Sequence, residues 1–185
     1  MDRSEVYLLI DGEREYQDKL GPGRTDGSFH SIPGHLLIMD TYYRAAVDGW
    51  TRNPGNEVAL DNVRKLAATC IRCMEEEGAP ARRGTIDPVV SMGPLKREEV
   101  YTLIDGEREY QKQVWDDDRP EGQTPDEDKG VAEWLLFIGF CLDDAKRAAY
   151  YPESEYDCLA KVRKVAALCV ACMEFHGAPS RWTKK

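Results

Sequence analysis

Two identical octapeptides carry the residues of this 185-residue chain that are best suited to bind a ligand. The sequence IDGEREYQ occurs at Ile10–Gln17 and again at Ile104–Gln111. On a helix, the apolar face that begins at Val6 continues through Glu13, so a carboxylate points inward. An inward carboxylate needs a cation, a metal or a ligand as its partner. The candidate ligand-binding residues are therefore Glu13, Arg14, Tyr16, Gln17, Glu107, Arg108, Tyr110 and Gln111.

Adjacent cations form a second pair of candidate sites. Arg64 and Lys65 lie near the start of a predicted helix, and Arg163 and Lys164 occupy the same place in a second copy of it. Neighbouring cations of this kind can hold a phosphate group. The alternative is a solvated charge pair, because Lys and Arg usually lie on the surface.

Two Cys-x-x-Cys pairs, Cys70/Cys73 and Cys169/Cys172, allow either helix packing or a shared zinc site. They stand among Ala, Val and Met in the middle of predicted helices, whereas structural zinc ligands normally come from turns. We predict reduced, metal-free cysteines that pack in the core. The three histidines lack metal-binding spacing, and no P-loop, GxGxxG or nucleophile-elbow motif is present, so no cofactor is predicted.

The octapeptides belong to a longer internal duplication. Glu5–Gln17 matches Glu99–Gln111 at a lag of 94, and Val63–Arg82 matches Val162–Arg181 at a lag of 99. Each copy reads as three helices with apolar residues at helical spacing and Gly or Pro at the borders. We predict an all-α fold of two three-helix units in one bundle with pseudo-two-fold symmetry. The first half spans 1–83, the linker 84–98 and the second half 99–185.

The three helices of each half have diverged unequally. The octapeptide keeps eight of eight residues and the third helix 13 of 20, but the second helix keeps only three of 17. Two explanations remain open. The retained polar residues either make the same hydrogen bonds between helices in both halves, or line two equivalent ligand sites.

Composition limits the classes of partner. A formal charge of -9 argues against broad binding to nucleic acid or anionic membranes, which favour a basic surface. No apolar run reaches the roughly 18 residues that span a bilayer, and the N-terminus lacks a signal-peptide pattern. These features predict a cytoplasmic protein, and they leave open whether it forms a homo-oligomer.

Three segments together resemble the phage-encoded, MazG-like branch of the all-α nucleoside triphosphate pyrophosphatases: EREYQDKL, HLLIMDTYYRAAVDGW and LDNVRKLAATCIRCMEEEGAP. In that family, carboxylates on the second and third helices hold Mg²⁺ on a triphosphate. Here the expected E-x-x-E positions carry Asp40 and Tyr43, and Gly139 and Leu142 in the second half. On the third helix Asp61 stands alone, and the second half has Ala160 and Lys161.

The resemblance therefore implies a nucleotide pocket that has lost most of its metal-binding carboxylates. We expect a non-catalytic nucleotide-binding protein, such as a phage sponge that sequesters a nucleotide signal of bacterial immunity. In such a pocket, Tyr16 and Tyr110 would stack on a base, Gln17 and Gln111 would contact its edge, and Tyr43 would lie on the neighbouring helix. One alternative is an active Mg²⁺-dependent pyrophosphohydrolase that uses Glu13, Asp40, Asp61, Glu107, Asp143 and Asp144. Another is an acidic interaction or inhibitor protein.

Overall fold

The computed structural model describes residues 1–20, 31–53, 55–82, 91–117, 121, 124–151 and 155–181. These residues confirm the all-α prediction, because they form a bundle of six α-helices. A π-helical turn at Gln113–Asp117 extends the fourth helix, and a 3₁₀ turn at Asp126–Asp128 precedes the fifth. In chain order the helices are α1 (Arg3–Lys19), α2 (Ile32–Arg52), α3 (Glu57–Glu77), α4 (Arg97–Lys112), α5 (Val131–Tyr150) and α6 (Glu155–His176).

Local sequence explains where the first helices begin. The Asp2 side chain accepts a hydrogen bond from the backbone N–H of Glu5, and the Glu5 carboxylate accepts one from the N–H of Asp2. This capping box satisfies two N–H groups that the helix itself leaves unpaired. Ser31 caps α2 in the same position through the N–H of Gly34. For α6, the sequence predicts an S-x-x-D capping box at Ser154 and Asp157, and Ser154 lies outside the described residues.

Glycine ends the third helix of each half. Gly78 and Gly177 follow α3 and α6 with φ of 87° and 74°, a left-handed conformation that glycine adopts without steric cost. After the first of these, β1 (Gly78–Ala79) pairs with β2 (Ser91–Met92) in a two-residue antiparallel bridge. The segment after each glycine contacts the other half of the chain, where Arg82 pairs with Glu107 and Arg181 pairs with Glu13.

Helices α3 and α6 form the centre of the bundle. They pack on each other, α3 also packs on α1 and α2, and α6 also packs on α4 and α5. Ala67 and Ala166 are fully buried in these two helices, together with the cysteines of both Cys-x-x-Cys pairs. Small residues permit two helix backbones to approach closely, which explains why the Ala- and Cys-rich faces meet here.

Equivalent residues of the two halves make equivalent, largely buried ion pairs between helices. Glu75 of α3 accepts from Arg14 of its own half at 2.7 Å and from Arg97 of the other half at 2.7 Å. In the second half the same arrangement joins Glu174 to Arg108 and Arg3. Ion pairs at matching positions therefore connect the two halves.

None of the described helices combines the length and the apolar composition that crossing a bilayer requires. Of the predicted linker, residues 84–90 lie outside the described part of the chain. Its C-terminal end is already helical, because α4 begins at Arg97.

Candidate functional site

A buried glutamate lies between two arginines in the first half. Glu13 on α1 is only 2% exposed. It accepts a hydrogen bond from Nη2 of Arg64 on α3 at 3.2 Å and from Nη1 of Arg181 at 2.7 and 2.8 Å. Arg181 follows α6, so this arginine comes from the second half of the chain.

The second half repeats this arrangement with its own residues. Glu107 on α4 is 1% exposed and accepts from Nε and Nη2 of Arg163 at 3.2 and 3.0 Å. Its second partner is Arg82, which follows α3 and comes from the first half, with Nη1 at 3.3 Å. Each buried glutamate therefore pairs with two arginines, one from its own half and one from the other half.

Each arginine from the other half also lies on a tyrosine of the octapeptide. The guanidinium carbon of Arg82 stands 3.3 Å from the ring centroid of Tyr110, and that of Arg181 stands 2.9 Å from the ring centroid of Tyr16. A cation over an aromatic face is attracted by the negative potential of the ring. The retained Glu and Tyr of the octapeptide thus hold the chain segment that crosses from the opposite half.

The two clusters differ at one position on the third helix. In the first half Asp61 accepts from Nη2 of Arg64 at 2.6 Å and from Nζ of Lys65 at 2.6 Å. The equivalent residue at a lag of 99 is Ala160. Lys164 therefore lacks the carboxylate that holds Lys65, and it makes no ion pair among the residues that the structure describes. Nη1 of Arg163 and Nε of Arg64 are each buried without a hydrogen-bond partner in the same part of the chain.

Burial lowers the pKa of Arg163, and the charge of Glu107 only partly opposes this effect. The neighbouring cation Arg82 lowers the pKa of Arg163 further. Arg163 is 3% exposed, so its charge is held away from water beside another positive charge. An added anion at this place would relieve both effects.

An open cleft of about 390 Å³ lies against this arginine. Four of its lining residues are cations and one is a carboxylate, and Glu107 behind Arg163 supplies a second carboxylate. Asp144, which accepts from Lys161 at 3.4 Å, supplies a third, so the cleft holds a formal surplus of one positive charge in a chain whose net charge is -9. We refer to it as the second-half cleft; its lining residues are Pro80, Ala81, Arg82, Tyr156, Asp157, Ala160, Lys161, Arg163 and Lys164.

A second difference between the halves lies on the second helices. Tyr42 is half-buried beside the first cluster, and burial together with the nearby charge of Glu13 raises its pKa. The equivalent residue in the second half is Cys141, which interacts electrostatically with Lys164 and Lys161. A thiol in place of a phenol leaves more room beside the cations of the second-half cleft.

The structure brings together only some of the predicted site residues. Glu13, Arg64, Lys65 and Tyr16 meet in the first half, and Glu107, Arg163 and Tyr110 meet near Lys164 in the second. The other octapeptide residues lie outside the two clusters. They form hydrogen bonds that connect the first helix of each half to the C-terminal end of the third helix of the same half. These residues are Arg14 and Gln17 beside Glu75, and Arg108 and Gln111 beside Glu174.

Tyr43 lies away from both clusters. A Cβ atom at position 139 of α5 would clash with the side chain of Tyr43. Tyr43 therefore packs between α2 and α5 in the space that Gly139 leaves open. The tyrosine beside the first cluster is the neighbouring Tyr42. Gln111 is buried and accepts from Arg108, so it does not face the second-half cleft.

Several residues of the site were missed by sequence reasoning. Arg82 and Arg181 end the repeated segment GAPAR/GAPSR, and their retention at a lag of 99 was an available signal. In the sequence, Lys161 stands out only as a departure from an acidic motif, although it lines the second-half cleft. Tyr156 also lines the cleft, and nothing in the repeat marked it, because its equivalent is Glu57.

The carboxylates considered for magnesium are engaged by cations. Asp40 accepts from Arg44 and from Lys146, each at 2.7 Å, and Asp61 is held by Arg64 and Lys65. Among the described residues, no three His, Cys, Asp or Glu side chains converge in a way that would hold a metal ion. The Cys-x-x-Cys pairs are unbridged thiols within the core.

Comparison with protein-family models, with curated proteins and with solved structures found no match to this chain.

Proposed function

We propose that the protein binds a small phosphate-bearing ligand of the nucleotide class in the second-half cleft and does not cleave it. The observation that carries this proposal is the buried guanidinium of Arg163, which keeps one nitrogen without a partner at the wall of an open, positively charged cleft. Buried polar groups are normally paired, and an unpaired one calls for an explanation such as an absent ligand.

The chemistry of the cleft suits a phosphate. Arg82 and Arg163 offer planar guanidinium groups, and Lys161 and Lys164 offer ammonium groups, all lining one cleft. Charge-assisted hydrogen bonds to such cations typically stabilise a complex by about 1.5–3 kcal/mol each. A volume of about 390 Å³ falls within the range of small-molecule sites, roughly 300–1,000 Å³.

The nucleotide part of the proposal rests on Tyr156 and on the resemblance to nucleotide pyrophosphatases. Tyr156 is a half-buried aromatic residue in the lining and offers a ring face for a base. This differs from the expectation that Tyr110 would stack on the base, since a guanidinium already covers that ring.

Binding without cleavage follows from the carboxylates. Hydrolysis of a phosphoanhydride in the resembling family needs acidic side chains that hold Mg²⁺. Here the lining of the cleft includes one carboxylate, Asp157, while Glu107 is committed to Arg163 and Arg82. A protein that binds without turnover lowers the free concentration of its ligand, which is the action expected of a sponge.

Calorimetric titration against ADP, ATP, ADP-ribose and cyclic dinucleotides tests this proposal, with matched runs in EDTA and in Mg²⁺. We expect one of these ligands to bind equally well in both buffers, to weaken as salt increases, and to be recovered intact by chromatography. Mg²⁺-dependent release of pyrophosphate would replace the proposal with the hydrolase. Absence of binding across the panel would favour the acidic interaction protein.

A further inference from the structure

We infer that Asp61 is a built-in anion that fills the first-half counterpart of the second-half cleft, so that each chain binds one ligand rather than two. This inference rests on the proposed function. It concerns the residues around Arg64, where the sequence duplication predicts a second, equivalent pocket.

The first argument is geometric. Asp61 presents one carboxylate oxygen to Nη2 of Arg64 at 2.6 Å and the other to Nζ of Lys65 at 2.6 Å. A phosphate that bridges Arg163 and Lys164 would make the same two contacts with two of its oxygens. The aspartate of the first half therefore occupies the place that the second half leaves to a ligand.

The second argument is the state of the two arginines. In the first half, Nη1 of Arg64 donates to the carbonyl oxygen of Pro179, and its Nη2 reaches both Asp61 and Glu13. In the second half, Arg163 directs Nε and Nη2 to Glu107, and its Nη1 is left unpartnered among the described residues. Each guanidinium thus keeps one buried nitrogen without a partner among the described residues, Nε in Arg64 and Nη1 in Arg163. The halves differ in the acceptors, because Arg64 donates to Asp61, Glu13 and Pro179, whereas among these residues Arg163 donates to Glu107 alone.

The third argument is the balance of charge. The first-half positions that correspond to the second-half cleft carry three cations, Arg64, Lys65 and Arg181, and three carboxylates, Glu13, Glu57 and Asp61. The formal charge is zero there, against a surplus of one in the second-half cleft when Asp144, the partner of Lys161, is counted. A tethered carboxylate also has a high effective concentration, so a free anion competes poorly with it.

Two exchange variants test the inference, with ADP and inorganic pyrophosphate as calorimetric probes. Asp61→Ala removes the built-in anion, and Ala160→Asp adds one to the second-half cleft. We expect one bound probe per chain for the unaltered protein and two for Asp61→Ala. For Ala160→Asp we expect at least about a tenfold loss of affinity. Asp48→Ala is the control, because it removes the same charge from an exposed pair with Arg52 and should leave one bound probe.

The outcomes separate this inference from the proposed function. When the unaltered chain binds the probe, two probes per unaltered chain, an unchanged affinity in Ala160→Asp, or no second probe on folded Asp61→Ala would each overturn the inference while leaving the proposed function intact. No binding to the unaltered chain, with one probe bound by Asp61→Ala, would overturn the proposed function and support the role of Asp61. Melting curves of every variant identify loss of fold, and Asp61→Asn replaces Asp61→Ala if the latter unfolds.

Discussion

The ring of Tyr7 stacks on the ring of Tyr101, with centroids 4.0 Å apart and planes inclined by 16°. The two tyrosines occupy equivalent positions on α1 and α4. Each hydroxyl donates to an aspartate of the other helix, from Tyr7 to Asp105 at 2.7 Å and from Tyr101 to Asp11 at 2.6 Å. This pair of reciprocal bonds joins the two halves beside the ion pairs of Glu75 and Glu174.

The tyrosine pair makes stability depend on pH in alkaline solution. Burial raises the pKa of both hydroxyls well above 10, and the bonds to Asp105 and Asp11 raise the pKa further. The raised pKa of the folded state means that this stability is complete below about pH 10 and is lost as pH rises above that value. In urea unfolding from pH 8 to 11, the double variant Tyr7→Phe/Tyr101→Phe should lose less stability with pH than the unaltered protein. Equal slopes for the two proteins would contradict this.

The two lysines at equivalent positions should differ in their effect on binding. Lys164→Ala removes a cation that lines the second-half cleft, and we expect the affinity for the bound nucleotide to fall about tenfold or more. Lys65→Ala breaks an ion pair with Asp61 and should leave affinity within about twofold. Calorimetric titration of both variants measures the two affinities. Equal losses of affinity would indicate that the ligand binds outside the second-half cleft.

The buried glutamates should be important for stability. Glu107→Gln leaves the buried guanidinium of Arg163 without its counter-charge, and breaking a buried ion pair typically costs about 3–5 kcal/mol. Glu109→Gln on the same helix is the control, because Glu109 is 66% exposed and makes only a 3.5 Å contact with Arg3. Urea unfolding measures both, and a cost below about 1 kcal/mol at Glu107 would show that its arginines find other partners.

The centre of the bundle should not accept larger side chains. Ala67→Leu or Ala166→Leu inserts extra carbon atoms where α3 and α6 meet, and overpacking of this kind typically costs about 1–3 kcal/mol. Thermal melting of each variant measures the effect. Unchanged melting in both would mean that these alanines have space beside them.

Cys141 should be the thiol that reacts in the native protein. It is half-buried, whereas the other five cysteines are buried. Burial raises the pKa of Cys172 to about 12, and burial with the nearby charge of Glu155 raises that of Cys158 to about 11, which suppresses their thiolates. At pH 8, Ellman's reagent should modify one thiol before unfolding and six after it. A nucleotide bound in the second-half cleft should slow the first reaction, and rapid modification of several thiols would contradict this packing.

The helices were predictable because their signals are local. Capping residues, helical spacing and the glycines after α3 and α6 all act within a few residues. The partners of the buried glutamates were not predictable in the same way. Glu13 and Arg181 are 168 residues apart, and their contact depends on how the halves pack.

The face of a helix is also easily misjudged from sequence. Successive residues are separated by about 100° around the helix axis, so Tyr42 lies beside the first cluster while Tyr43 packs against α5. The acidic side chain of Asp61 indicated a position of interest, but its actual partners could not be predicted from the sequence. The sequence marked Asp61 as a remnant of a metal site, and the structure pairs it with Arg64 and Lys65.

The crossing of Arg82 and Arg181 has a consequence for how such a chain can arise. A protein of half this length would contain a buried glutamate, one arginine on its third helix and a terminal arginine that points away from its own glutamate. Two copies of that protein, arranged as the halves are here, would supply each other's missing cation. Gene fusion of such a homodimer would preserve every buried ion pair from the first generation onward. After such a fusion the two copies could diverge independently, and they now carry Asp61 in one half and Ala160 in the other.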